Sequence, residues 1–142
     1  IKIKWPNDLY YDDKKVSGIL IESLSKNKDV HVSIGVGINL NIPKSYSIDQ
    51  PYSNLSKNIN CEKLIYNFCK NIIDNLQCAD QLKIIKQFNA NLYGYKERVQ
   101  VNHNNTSFIG ELIGINNNGE LVVKNDQKII RIDNINSTIR LL

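Results

Sequence analysis

Near its start the chain reads Lys4-Trp5-Pro6-Asn7-Asp8, an amide and a carboxylate placed directly after a proline, where a turn exposes polar side chains. A carboxylate in such a turn can hold Mg²⁺, directly or through water, and so neutralise phosphates; it can also take a proton from an incoming amine. An Asx-turn that only shapes the loop would use the same residues. Further on, Asp12-Asp13-Lys14-Lys15 reads by itself as an exposed charged turn. A third stretch, Ile34-Gly35-Val36-Gly37-Ile38-Asn39, leaves one side of a strand nearly bare. Glycines at alternate strand positions offer nothing to pack and often mark the close approach of a ligand. A flat ligand could lie across Gly35 and Gly37 with Asn39 at its edge; a bulge or tight twist accounts for the glycines equally well.

The elements that must position these residues follow from periodicity. Residues 1–4, 15–22 and 30–40 read as strands. In the third, Val30, Val32, Ile34, Val36, Ile38 and Leu40 form an apolar face that belongs on the core. Tyr11-Asp12-Asp13-Lys14 and Ser25-Lys26-Asn27-Lys28 suit hairpin loops. Residues 41–58, with Pro43 and Pro51, read as a loop. Cys61, Leu64, Ile65, Phe68, Cys69, Ile72 and Leu76 recur at helical spacing up to about residue 78. A shorter helix follows, with Leu82, Ile85, Phe88 and Leu92 on one side and Gly94 as its C-terminal cap. From about residue 96 the period changes to two. Five short strands are predicted, around Val99–Val101, Phe108–Ile115, Glu120–Val123, Ile129–Ile132 and Thr138–Leu142, with Asn118-Gly119 and Asn125-Asp126 as hairpin turns. This tail is too small to be stable alone and should pack on what precedes it.

Composition narrows the class. The 142 residues carry a net charge of +4 from scattered lysines, not the concentrated basic stripe of a nucleic-acid-binding surface. No apolar run approaches the length of a membrane span. Cys61, Cys69 and Cys78 lack paired spacing, which argues against disulfides or structural zinc and for buried free thiols in a reducing, cytoplasmic setting. His31 and His103 are too isolated for a metal site. The chain has no methionine and opens inside a strand, from which a missing upstream portion is expected.

Three motifs in this order, KWPND, KKxxGILxE and IGxGINxN, together resemble the catalytic domain of the biotin protein ligases, the holocarboxylase synthetase family. The resemblance implies an α+β fold: a mixed β-sheet with packed helices, like class II aminoacyl-tRNA synthetases, over residues 1–94, then a small SH3-like β-barrel over residues 95–142. It implies a ligase that makes biotinyl-5′-AMP from biotin and ATP with Mg²⁺, then passes biotin to a lysine of a biotin carboxyl carrier domain, with no membrane or nucleic-acid partner and a possible homodimer. Lys15 falls on the family lysine that contacts biotin and the α-phosphate. There its ammonium would offset the repulsion of two anions and the charge developing at phosphorus. Asp8 is then a catalytic, nucleotide-binding or Mg²⁺-binding carboxylate, and Asn7 assists at the nucleotide. Gly18, Leu20, Gly35 and Gly37 would border biotin. Asn39 falls on the family asparagine that recognises adenine, as its amide can both donate and accept. Trp5 is expected as a core anchor, with Lys4 fixing the loop.

Two departures from the family stand out. Its Gly/Arg-rich loop, normally upstream of KWPND, is absent, and residues 41–58 hold no tryptophan to cover the adenine, leaving Tyr46 or Tyr52 as substitutes. A lipoate-type ligase, which shares an Asn-Asp followed by Lys-Lys-x-x-Gly, is the nearest alternative. A non-catalytic remnant acting as a binding module is the second. Trp5-Pro6 and the Gly35–Asn39 run favour biotin.

Overall fold

A computed structural model describes residues 1–43, 50–55, 58–77, 80–126, 128–133 and 137–142. The first part is a meander of four strands, β1 (Lys2–Lys4), β2 (Asp8–Tyr11), β3 (Lys14–Lys26) and β4 (Asp29–Ile38), in spatial order β1-β2-β3-β4. Every ladder within it is antiparallel, so the sheet is not the mixed one expected. Short turns dictate this. Asp12 and Asp13 both take positive φ (47° and 59°) between paired Tyr11 and Lys14, as a two-residue hairpin loop requires. Asn27 (φ 59°) turns β3 into β4.

Helices α1 (Cys61–Gln77) and α2 (Gln81–Ala90) follow. The Asn60 side chain accepts from Lys63 N (2.8 Å) and Asp80 caps α2 by accepting from Lys83 N (3.1 Å), each meeting an otherwise orphaned first-turn donor. The second helix ends at Ala90, earlier than its apolar spacing predicts. Leu92 lies beyond it, 2 % exposed, bridging Ile3 in a parallel arrangement, and Gly94 (φ +78°) belongs to the next turn rather than to a helix cap.

The five tail strands are β5 (Arg98–His103), β6 (Thr106–Ile115), β7 (Leu121–Asn125), β8 (Lys128–Ile132) and β9 (Ser137–Leu141), all antiparallel in the order β8-β7-β6-β5-β9. No ladder joins the edge strands β8 and β9 among the described residues, so the closed SH3-like barrel expected is an open sheet here. Its inward face, Val99, Val101, Leu112, Leu121, Val123, Ile132 and Ile139, is covered by Trp5 and Leu92 of the first part, which complete the core. Asn89 joins α2 to this sheet: its Oδ1 accepts from Ile115 N (2.7 Å) and its Nδ2 donates to Ile115 O (3.2 Å). A Cβ on Gly114 would meet that Asn89 Oδ1 at 2.8 Å, so glycine is needed for the approach.

Two expectations about burial fail. The apolar face of β4 is open: Val30 is 64 % exposed and Val36 still 36 %. Helix α1 likewise has no buried residue, and free Cys61 and Cys69 are exposed rather than buried; Cys78 lies outside the described residues. The cause is common to both. Among the described residues these stripes are covered only in part: Leu64, Phe68 and Ile72 of α1 and Ile38 of β4 are half-buried, while the rest of each stripe stays open.

Candidate active site

The Trp5–Asp8 segment is held at both ends. The Trp5 indole is 4 % exposed within the core, as expected of an anchor, and its Nε1 donates to Gly119 O at 3.1 Å. The peptide bond before Pro6 is cis. Asn7 clasps β3 twice, its Nδ2 donating to Ile19 O (2.7 Å) and its carbonyl accepting from Ile19 N (2.8 Å). Lys4 donates to the Tyr10 hydroxyl at 3.1 Å.

Lys15 Nζ lies 2.7 Å from Asp8 Oδ1, with the two side chains 26 % and 18 % exposed. That contact depends on a β-bulge. Asp8 pairs with Gly18 and Leu9 with Ser17, but Tyr10 pairs with Lys15, so Val16 is an extra residue on β3. Strict alternation would put Lys15 and Gly18 on opposite faces. The bulge turns both toward Asp8: a Cβ built on Gly18 would stand 3.2 Å from Asp8 Oδ1 and 3.3 Å from Lys15 Nζ. Val16 itself is fully buried.

The Lys15 backbone is fixed on three sides. Its N–H donates to Pro51 O (3.0 Å), and its carbonyl accepts from Ser53 N (2.9 Å) and from Asn39 Nδ2 (3.0 Å). Asn39 N donates to Val16 O (2.9 Å), so β4 locks onto the bulge. One amide hydrogen of Asn39 is therefore committed; among the described residues no hydrogen bond engages its Oδ1 or its second hydrogen. Ser17, buried and not singled out in the sequence, donates its hydroxyl to Gly37 O at 2.7 Å.

Beyond the ion pair the same face is bare. Gly18 pairs with Gly37 and Leu20 with Gly35, and a Cβ on Gly35 would find only Leu20 O and Leu20 Cβ, at 3.8 and 3.9 Å. Lys15, Asp8, Gly18, Leu20, Gly35 and Gly37 thus form one shelf, charged at one end and smooth along the rest, with Asn7 and Asn39 holding its edges. Tyr52 sits beside it, bridging Lys15, with its hydroxyl tied to Pro43 O at 3.2 Å; Tyr46 lies outside the described residues. A cleft of about 510 Å³ lined by Lys4, Tyr10, Gln50, Tyr93 and Arg140 opens next to the shelf, not over it. Among the described residues no three His, Cys, Asp or Glu side chains gather to hold a metal ion, and no helix is long and apolar enough to cross a membrane.

This shelf lies inside the stretch that known proteins share. Residues 1–39 match the biotin/lipoate A/B protein ligase family. Over 40 residues the chain is 55 % identical to biotin–protein ligase 1, chloroplastic, of Arabidopsis thaliana, and over 41 residues 49 % identical to the bifunctional ligase/repressor BirA of Escherichia coli. Each match takes in 28 % of this chain but only 11 % and 13 % of those proteins. In three dimensions the likeness extends over nearly the whole chain. The apo structure of the biotin protein ligase from Aquifex aeolicus superposes with a TM-score of 0.81 at 26 % identity, over 99 % of this chain and 65 % of that one. The same ligase in complex with biotin and ATP gives 0.80 at 24 % identity, over 99 % of this chain and 62 % of that one. Over residues 1–39 the chain is thus similar in sequence to the biotin/lipoate A/B protein ligase family, and along almost its full length it shares the fold of the Aquifex aeolicus biotin protein ligase.

Proposed function

We propose that the chain carries the adenylation site of an ATP-dependent biotin protein ligase. The observation that carries this reading is the Lys15–Asp8 pair, fixed at the end of a glycine-lined shelf within the segment shared with the ligases. The biotin ring system would lie along Gly18, Leu20, Gly35 and Gly37, its carboxylate toward Lys15. That carboxylate attacks the α-phosphorus of ATP, the bond to the bridging oxygen breaks, and pyrophosphate leaves. The Lys15 ammonium lowers the repulsion between the two anions and stabilises charge as it develops, and its fixed backbone means little reorganisation at that moment. Asn7 and Asn39 would border the nucleotide. In the second step a lysine amine of a carrier domain attacks the acyl carbon, AMP leaves, and the amine loses its proton, for which Asp8 is the nearest carboxylate.

Magnesium does not fit a dedicated site. Asp8 is one carboxylate already engaged by Lys15, and Mg²⁺ bound by a single carboxylate depends on substrate phosphates for its other ligands.

Residues 1–94 supply the reacting face in this reading, related to the class II synthetase sheet, and residues 95–142 support it. Full activity is expected to need the part of the ligase fold beyond the share this chain matches, and the cytoplasm, where ATP and carrier domains meet, is its setting. The test is biotin-dependent exchange of pyrophosphate into ATP, with lipoate as the second arm. Exchange with biotin alone supports the proposal; exchange with lipoate alone transfers the site to lipoate activation.

A further inference from the structure

We propose that the Asn116–Glu120 turn between β6 and β7 is a positioning element of the adenylation site, acting through the indole of Trp5. The proposal rests on the adenylation reading only for its activity measurement.

Trp5 is the chain's single tryptophan, and its N–H reaches across 114 residues of sequence to the carbonyl of Gly119. A buried indole N–H must find an acceptor; this acceptor is unusually well fixed. Asn116 Oδ1 accepts from Asn118 N (2.9 Å) and Glu120 N (3.0 Å), while Asn116 Nδ2 donates to Glu120 Oε2. Asn116 N donates to Glu120 O and Gly119 N to Asn116 O, both at 3.0 Å. From α2, Gln81 Nε2 donates to Asn117 O at 2.6 Å. Gly119 takes φ +78°, yet a Cβ there would meet nothing within 4 Å. Glycine is required at 119 for backbone direction alone, and that direction aims the carbonyl at Trp5.

The segment hung from this carbonyl is the one that presents Asp8. Trp5 secures one end and the Asn7–Ile19 clasp the other, so a shift of the indole is passed to Asn7 and Asp8, 2.7 Å from Lys15. Trp5 and Gly119 are positioning residues. Neither touches the reacting groups.

The test uses the full chain. Gly119→Ala strains the left-handed turn, Gly119→Asn restores a residue that tolerates it, and Trp5→Phe keeps an aromatic ring in the core while removing the donor. Each is read by the Asn7 and Asp8 amide resonances, by the Trp5 indole proton where present, and by biotinyl-AMP formation. Gly119→Ala and Trp5→Phe should move the Asn7 and Asp8 amides and lower kcat by about tenfold or more, leaving KM for biotin unchanged, because misplacement of the order of an ångström is costly to catalysis. Gly119→Asn should return all three readouts toward wild type. If both disruptive variants stay folded by circular dichroism and leave the Asn7 and Asp8 amides in place, the turn does not position the site. If the amides move but the wild type, supplied with the remainder of the ligase fold, forms no biotinyl-AMP, the adenylation reading fails while the mechanical link stands. A Gly119→Ala variant that does not fold leaves the decision to Trp5→Phe.

Discussion

The side-chain amide of Asn39, just past the end of β4, donates to the main-chain carbonyl of Lys15, near the start of β3, at 3.0 Å. In the proposed function, a residue that borders the nucleotide thereby also steadies the lysine placed at the reacting centre. Asn39→Ala should therefore lower kcat for adenylation as well as raise KM for ATP, with a combined loss of about 1–3 kcal/mol in transition-state stabilisation. Steady-state kinetics with ATP and GTP separates the two effects. A change in KM for ATP with kcat untouched would mean that the bond to Lys15 carries no catalytic weight.

Lys15→Ala should impair chemistry more than binding. In the proposed reaction the charge at position 15 matters most as the phosphorus gains charge, so a fall of about 10²–10³ in adenylation rate is expected, with a smaller loss of biotin affinity. Lys15→Arg should not restore the rate, because a planar guanidinium does not replace a compact ammonium. Pyrophosphate exchange alongside calorimetry of biotin binding provides the comparison.

The glycines on the shelf should behave differently from one another. At Gly18 an added methyl would lie 3.2 Å from Asp8 Oδ1 and 3.3 Å from Lys15 Nζ, so Gly18→Ala should spread the ion pair itself. At Gly35 only ordinary contacts await a Cβ, and valine suits a strand. Gly35→Val should fold normally and lose biotin affinity by about tenfold or more, because branched bulk fills the ligand's space. Unchanged biotin affinity in folded Gly35→Val would return that glycine to a purely structural role.

Tyr93 gives a pH prediction. Its ring lies 4.9 Å from that of Tyr10, and burial, followed by the negative charge and hydrogen bonding of Asp13, holds its phenol above the usual value of 10.0. The folded state thus favours the neutral phenol. Its stabilising contribution is complete below the ordinary tyrosine value and is lost as pH rises through the higher folded one. Denaturant melts of wild type and Tyr93→Phe should show the wild type losing more stability across that alkaline window. Parallel pH profiles would mean that Tyr93 ionises as an exposed phenol does.

Both described cysteines on α1 should react with Ellman's reagent in native buffer, without denaturant, since Cys61 and Cys69 are exposed. Slow reaction, accelerated by unfolding, would indicate that the helix is covered in solution.

Much of the site could be read from residue order. Alternation identified β4 and the five tail strands, and the bare side of Gly35 and Gly37 does lie on the face that carries Lys15. Other parts depend on distant partners. The strand Asp8–Tyr11 escaped notice because its four residues follow a proline and begin with a carboxylate, which looks like a turn until β1 and β3 flank it. No local pattern reveals that Trp5 seeks an acceptor in the β6–β7 turn. Leu92 continues a helical spacing, yet it is buried because the chain turns there to meet Ile3. An apolar stripe states what a face requires, not what covers it. The largely open stripe of β4 and the half-covered one of α1 are the clearest cases.

The extra residue at Val16 gives this stretch a strict count. Between Asp8 and Gly18 the lysine faces the carboxylate only because one strand is longer than its partner by one position. Deleting Val16 would leave Lys15 and Gly18 two positions apart, on one face by plain alternation, but it would abolish the bulge and with it the carbonyl that accepts from Asn39 N, so the lysine would lose its tie to β4 while the lysine, the aspartate and the glycine all stayed present in the sequence. An added residue would widen the bulge and disturb the same tie. The Asn27 hairpin, at the far end of β3 from the ion pair, sets no such register for Lys15 and can vary in length. Functional relatives should therefore tolerate gaps at that tip and none between the aspartate and the glycine: spacing, as much as identity, is what selection must preserve.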